Sequence, residues 1–325
     1  ESISKYIKKH FSHPKLIQLL EFPVLFLGAK PQDTPALYSL MNYADISLGT
    51  WYPKGGMHKI VEGMEKVATS LGVVFKTSST VEEIVVKNGR AKGIKVNGED
   101  LSFDYVVGGA DYHHVEQQLL RPEYRKYDEK YWDTRSMAPS SLIFYLGVNK
   151  RLKNLHHHNL FFDESFDQHA IEIYDHPLWP SNPLFYVSCT SKSDDTVAPE
   201  GMENVFILIP VAPNLEDTEA SREKYYHMIM DRLEKLTDQK IRDYVIFKRS
   251  YAHNDFIKDY NSFKGNAYGL ANTLKQTAIL KPSIVNKKVK NLYYTGQLTV
   301  PGPGVPPSLI SGQVAAKEII KDIAK

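Results

Sequence analysis

A chain of 325 residues, 42% hydrophobic and 24% charged, is long enough for two folded domains with their own cores. Its formal charge of +2 argues against nucleic acid as a partner, and one cysteine, Cys189, excludes an internal disulfide framework and any multi-cysteine zinc or iron–sulfur site. The longest apolar runs, Phe22–Ala29 and Val205–Ala212, fall far short of the ~20 residues that cross a bilayer as a helix.

Residues 1–27 read as helical, with Tyr6, Ile7, Phe11, Leu16, Leu19, Leu20 and Phe22 near helical spacing and Pro14 dividing them. From Trp51 the stretch WYPKGGMHKIVEGMEKVATSLGV predicts a glycine-rich turn and then a helix with Ile60, Met64, Val67 and Leu71 on one face, capped by Gly72. Val73–Lys76 predicts a short strand. Val81–Lys87 and Ala91–Val96 predict a hairpin across Asn88-Gly89, and Asn97-Gly98 a second turn. SFDYVVGGAD then reads as a buried strand ending on two glycines. Beyond residue 116 the texture changes. Strands are predicted at Ser141–Val148, Leu184–Cys189 and Val205–Val211, a helix over Ser221–Leu236, and a loop-rich aromatic stretch from Tyr251 to Leu274. After Asn291 the chain returns to strand, loop and helix. The order implies a helical segment 1–46, one domain assembled from 47–115 and 286–325, and an α+β domain, 116–285, inserted between its pieces.

The loop in YYTGQLTVPGPGVPPSLISG carries the clearest chemical signal. Leu292–Thr295 is a strand that delivers the chain to Gly296. Gly296, Gly302 and Gly304 let backbone approach a flat ligand or adopt positive φ. Pro306 and Pro307 suit a helix start. The helix that follows, with Leu309, Ile310, Val314, Ile319 and Ile320, turns its N-terminal N–H groups and positive dipole end toward the loop. Such a site takes an anion or an electron-rich ring, and a rigid structural turn is the alternative. It is no dinucleotide fingerprint, because Pro307 stands where the third glycine would be.

This loop resembles the C-terminal flavin motif of the bacterial phytoene (carotenoid) desaturases, in the FAD amine-oxidoreductase superfamily. WYPKGGMHKIVEGM, GVVFKTSSTVEEIVVKNGRAKGIKVNGE, DYVVGGAD and NSFKGNAYGLANTLKQTAILKP are similar to further segments of that family. The resemblance implies an α/β fold, with a glutathione-reductase-like (Rossmann-type) FAD domain and an inserted α+β substrate domain. It implies FAD as cofactor and places Val81, Gly296, Gln297, Gly304, Val305 and Pro306 against it. It implies a C=C-forming reaction on an apolar polyene, with hydride passing to the flavin, and negative charge gathering on the ring edge near the Val305–Ser308 helix start. Two departures stand out. The family's opening G-x-G-x-x-G unit has no match here, and the chain begins on Glu1, so the N-terminal flavin-binding βαβ segment is expected to precede this stretch in a larger protein. Gln297 stands where relatives often carry an acid; its amide can still donate and accept.

No catalytic residue and no metal site is assigned. Phe144, Tyr145, Phe263, Tyr268 and Leu270 are candidate substrate walls or plain core. Adjacent His156, His157 and His158 point in different directions and suit an exposed loop better than one tetrahedral site. His113 and His114 follow Asp111 and open a helix. Asp255 and Asp259 read as solvated or capping residues or as a proton acceptor, and Cys189 as core. Lys5, Lys8, Lys9 and Lys15, interleaved with Phe11, Leu16, Leu20 and Phe22, predict either a packed helix or a patch docked on a membrane surface. The expected location is therefore cytoplasmic, peripheral to the inner membrane. A flavin-dependent isomerase, another FAD oxidoreductase and a non-catalytic lipid-binding fragment are the alternatives.

Overall fold

The computed structural model describes residues 1–324, with residues 25–27 described by backbone only. Its helices are α1 (Ile3–His10), α2 (Pro14–Glu21), α3 (Leu40–Tyr43), α4 (His58–Ser70), α5 (Tyr112–Gln118), α6 (Glu129–Asp133), α7 (Phe166–Tyr174), α8 (Glu219–Thr237), α9 (His253–Tyr260) and α10 (Val305–Ile323). Its strands are β1 (Val81–Lys87), β2 (Arg90–Val96), β3 (Glu99–Ser102), β4 (Val106–Gly108), β5 (Ser140–Val148), β6 (His158–Phe161), β7 (Phe185–Ser188), β8 (Glu203–Val211), β9 (Val245–Tyr251) and β10 (Leu292–Tyr294). The chain divides into two units, one of residues 1–47, 76–139 and 255–325, the other of 48–75 and 140–254.

In the first unit, β1, β2 and β3 form an antiparallel meander. Both turns are the predicted ones: Asn88 and Gly89 take φ of +53° and +66°, Asn97 and Gly98 take +52° and +78°. Positive φ at both central residues matches the strand twist, and Asn-Gly supplies it at little steric cost. β4 and β10 pair in parallel, Val106 with Leu292 and Gly108 with Tyr294. Pro14 opens α2, which ends the run begun by α1, as expected. Ile3 and Ile7 of α1 are buried with Val24.

The core of this unit takes in residues beyond 47–115 and 286–325, while residues 48–75 cluster with the other unit. Tyr112 stacks on Tyr294 at 3.9 Å between ring centres. Beside them Glu116, 0% exposed, accepts from the backbone N–H groups of Lys126 (3.1 Å) and Tyr127 (2.9 Å) and from Tyr294 Oη (3.0 Å). Asn286 Nδ2 donates to Tyr294 Oη at 2.8 Å. Trp132, Met137 and Leu270 pack into the same cluster as Val106 and Leu292. A buried carboxylate needs such donors: Lys126 and Tyr127 supply two of them, and the shared apolar cluster brings Trp132, Met137 and Leu270 onto the same core.

The second unit is a five-stranded antiparallel sheet in the order β6-β7-β8-β5-β9. Leu142, Phe144, Leu146 and Val148 of β5 alternate into a core shared with Val205, Ile207, Ile209 and Val211 of β8 and with Tyr225, Tyr226, Ile229, Met230 and Leu233 of α8. The α4 helix, predicted from its apolar spacing, ends as expected. Gly72 takes φ +88°, its N–H donates to Thr69 O (3.0 Å), and Val73 N–H donates to Ala68 O (3.1 Å). The strand expected at Val73–Lys76 does not form. A strand needs a partner for its backbone, none lies beside it among the described residues, and Val74 is 78% exposed. The stretch expected to be loop-rich from Tyr251 contains α9.

Candidate cofactor site

Parallel strands bind ligands at their carboxyl ends, and β4 and β10 both end on glycine-bearing segments, Gly108-Gly109 and Thr295-Gly296. A cavity of about 490 Å³ opens there, lined by Gly109, Ala110, Asp111, Gly296, Gln297 and Ser308 among others. Thr295 N–H donates to Gly108 O at 3.0 Å and keeps the strands together to the cavity edge. The next donor, Gly296 N–H, turns to Ser311 Oγ at 2.8 Å. Ser311 is 0% exposed and donates in turn to Ser308 O at 2.6 Å. Thr299 closes the turn, its N–H and hydroxyl both donating to Gly296 O (3.1 and 2.9 Å).

The loop uses its glycines as expected. Gly296, Gly302 and Gly304 have φ of +100°, +132° and +109°, and the Val300–Pro301 bond between them is cis. Gly269, in a neighbouring segment, lets Gln297 pack closely: a Cβ there would stand 3.0 Å from Gln297 O. The Gln297 amide donates to Asn266 Oδ1 at 3.4 Å.

The helix start carries a correction. α10 begins at Val305 with Gly304 as N-cap, but Pro306 and Pro307 have no N–H, and Ser308 N–H is taken by Gly304 O at 3.0 Å. Of the leading positions only Gly304 and Val305 offer N–H groups. The expected array of donors is thus two, backed by the dipole of a 19-residue helix.

Val81 stands at the start of β1 and borders a second cavity, of about 470 Å³, with Phe103, Val107 and His114. The two cavities share Gly109 and Ala110 in their walls; Gly296 and Gln297 line the first and Val81 the second. Gly304, Val305 and Pro306 are solvent-facing at the α10 start, two to four positions before Ser308. Bare backbone at strand ends, glycines at positive φ and a positive helix terminus fit the electron-rich edge of a flavin.

Asp111 was not among the expected lining residues. It caps α5, its Oδ1 accepting from His114 N–H (3.2 Å) and its Oδ2 from Phe263 N–H (3.1 Å). Burial raises its pKa, against those same hydrogen bonds, which lower it. An Asp just after two glycines and before a helix is the sequence signal that marks it.

The other candidates separate cleanly. Phe144 and Leu270 are 0% and 1% exposed and belong to the two cores. Tyr145, one position on, lies on the opposite sheet face and borders a cavity of about 570 Å³ with Phe247, Arg249 and Tyr251. Phe263 stacks on His113 at 4.0 Å, and His113 Nε2 pairs with Glu129 at 2.9 Å. Tyr268 is half-buried. His157 bonds Ser193, and His158 shares a 2.5 Å hydrogen bond with Tyr186 Oη. Asp255 and Asp259 lie on α9, whose Phe256 and Tyr260 line the first cavity. Cys189 is 0% exposed, and burial pushes its thiol up to about 12.

The sequence pattern of the flavin-containing amine oxidoreductases matches residues 1–320. The chain is 40% identical over 323 residues to a carotenoid 3,4-desaturase of Haloarcula japonica, covering 99% of this chain and 65% of that protein. It is 31% identical to a 4,4'-diapophytoene desaturase (4,4'-diaponeurosporene-forming) of Staphylococcus haemolyticus, covering 98% and 66%. The chain therefore spans about two thirds of the length of these relatives. Its fold is that of an oxidoreductase from Methanosarcina mazei, with a TM-score of 0.68 at 18% identity over 98% of this chain and 68% of the other. A glycine-shaped cavity at the ends of parallel strands, the α10 start beside it and the match over residues 1–320 lead to one conclusion: the chain belongs to the flavin-containing amine oxidoreductase family.

Proposed function

We propose that this protein is an FAD-dependent desaturase that introduces C=C bonds into an apolar polyene of the carotenoid class. The observation that carries the reading is the 40% identity, over 99% of the chain, to a protein named carotenoid 3,4-desaturase. FAD, when bound, supplies the hydride acceptor that no side chain offers. The chain's own part is to seat it. Gly296 and Gln297 present backbone at the cavity, and the Gly304 and Val305 N–H groups with the α10 dipole favour negative charge beside the loop. In this reading β4, β10 and α10 belong to a glutathione-reductase-like flavin domain, whose pyrophosphate-binding βαβ unit finds no counterpart in these residues. The β5–β9 sheet belongs to the inserted substrate domain.

A polyene has no polar handle, so its wall must be apolar. On the sheet face opposite the core, Tyr145 lies 5.5 Å from Phe206, and Phe206 lies 6.2 Å from Tyr186, between ring centres. This aromatic row is the wall we assign, with Tyr145 in it and Phe144 outside it. We also assign membrane docking, cytoplasmic and peripheral, to the opening helices. No helix among the described residues is long and apolar enough to cross a membrane, while Phe11 and Leu16 of the expected patch are 41% and 37% exposed beside Lys5 and Lys15, joined by Leu19 at 54%; Phe22 is 5% exposed and Leu20 packs on the cluster of Ile3, Ile7 and Val24, so these two fall outside the patch.

The test is carotenoid profiling after expression of the full-length protein with candidate polyenes. Products with added double bonds support the reading. A product of unchanged mass would point to isomerisation, and turnover of a polar amine with no change in any polyene would overturn it.

A further inference from the structure

Beneath the cofactor loop lies a charged side chain with no role in the reading above. Lys281 is 4% exposed, and its Nζ donates to Leu270 O at 3.2 Å. Among the described residues no carboxylate pairs with it; the polar groups beside it are the Leu270 carbonyl and the Asn272 amide, neither of which titrates. Asn272 is 2% exposed, and its Oδ1 is buried without a hydrogen-bond partner. Gly302 rests on both: a Cβ there would stand 3.2 Å from Lys281 Cε and 3.3 Å from Asn272 Oδ1. The seat of the turn is thus a lone ammonium and an unsatisfied amide oxygen, both costly to bury.

The position of Lys281 suggests what this arrangement does. One arm reaches Leu270, next to Gly269, which packs on Gln297 O. The stem supports Gly302, at the other end of the same turn. Lys281 therefore braces Gln297 and Gly302 together, from the protein side of the loop. We infer that Lys281 is a positioning residue whose ammonium form holds the Gln297–Gly302 turn in the shape that receives the flavin, so that loss of its proton loosens the cofactor. A charge-assisted hydrogen bond to Leu270 O is stronger than one from a neutral amine, and the positive charge under the turn suits an electron-rich ligand above it. Burial holds the ammonium pKa down, to about 8, which brings proton loss into an accessible range. The inference rests on the loop being a flavin site.

The experiment measures FAD dissociation constants for the full-length protein by flavin fluorescence, from about pH 6.5 to about pH 9.5, for wild type, Lys281→Met and Lys281→Arg, with thermal midpoints of the flavin-free forms. Wild-type affinity should weaken roughly tenfold across that range, the scale of one charge-assisted hydrogen bond. Lys281→Met should bind roughly tenfold more weakly near neutral pH with a flat profile, and its flavin-free midpoint should not fall, because a buried charge has been removed. Lys281→Arg, which keeps its charge throughout, should hold its affinity at high pH. A Lys281→Met profile parallel to wild type, or a Lys281→Arg profile that weakens as wild type does, overturns the inference. If Lys281→Met does not fold, the comparison of wild type with Lys281→Arg decides alone. A wild type that binds no FAD at any pH refutes the flavin-site reading itself and this inference with it.

Discussion

Gly296 N–H donates to Ser311 Oγ at 2.8 Å, across 15 positions of sequence. One hydroxyl thereby joins the end of β10 to the second turn of α10 and sets the separation of the two elements that flank the cavity. Ser311 also satisfies a backbone donor at a point where β10 has run out of partners.

Ser311→Ala should therefore loosen the site as well as the fold. An orphaned, partly buried N–H costs about 1–3 kcal/mol. We expect a lower thermal midpoint and weaker FAD binding, measured on the same preparation. Ser311→Ala with unaltered FAD affinity would show that the loop holds its shape without this bond.

Gly304→Val should weaken FAD binding by roughly one to two orders of magnitude. A β-branched residue at φ +109° is strained, and its Cβ would lie 3.3 Å from Pro307 Cδ; strain of this kind is worth about 1–3 kcal/mol. The check is a titration of the purified variant with FAD, followed by flavin absorbance.

Val305→Asp should make the flavin harder to reduce. The side chain is 50% exposed at the α10 start, so the substitution places a negative charge beside the loop with little packing cost. For a two-electron couple ~1.4 kcal/mol of added repulsion corresponds to ~30 mV, and a decrease of that order is the expected outcome of spectroelectrochemical titration. Lys321→Asp, in the last turn of α10, controls for net charge and should leave the potential in place.

The pH dependence of stability should carry the mark of Lys281. Its folded pKa lies at about 8 against an ordinary 10.5. Between those values the unfolded chain holds the proton and the folded chain has released it. The unfolded state then binds more protons, so stability rises with pH across the window. In the flavin-free form, wild type should gain on Lys281→Met in thermal midpoint from about pH 8 to about pH 10, and parallel curves would place the residue outside the titrating set.

Replacing Lys5, Lys8, Lys9 and Lys15 by Glu should reduce sedimentation with anionic vesicles, at ~1 kcal/mol for each basic residue near the surface. The structure refines the expectation. Lys9 pairs with Glu1 at 2.7 Å and Lys8 with Glu21 at 3.9 Å, so Lys5 and Lys15 together should account for most of the effect. Sedimentation unchanged at every ionic strength would leave α1 and α2 as a packed pair of helices.

The sequence by itself determined what depends on a few neighbouring residues. Asn88-Gly89 and Asn97-Gly98 specify their turns through backbone preference alone, and Gly72 ends α4 in the same way. Gly304 and Pro306 mark where α10 begins, and alternation along Ser141–Val148 marks a strand. The chemical character of the loop from Gly296 to Gly304 was legible for the same reason, since bare backbone and positive φ are written in the residues that adopt them. Tertiary structure decided whatever depends on a distant partner. Val73–Lys76 has the composition of a strand, yet no backbone lies beside it to make it one. Phe144 and Tyr145 are neighbours of similar type, and the packing of α8 on one sheet face sends the first into the core and leaves the second on the opposite face. Glu116 and Tyr294 bond across 178 positions, in a core that takes in residues beyond the apparent domain boundary. Ser311 beneath Gly296 and Lys281 beneath Gly302 carry no local signal, because a buried hydroxyl or ammonium acquires its role from the unpaired groups that folding places around it.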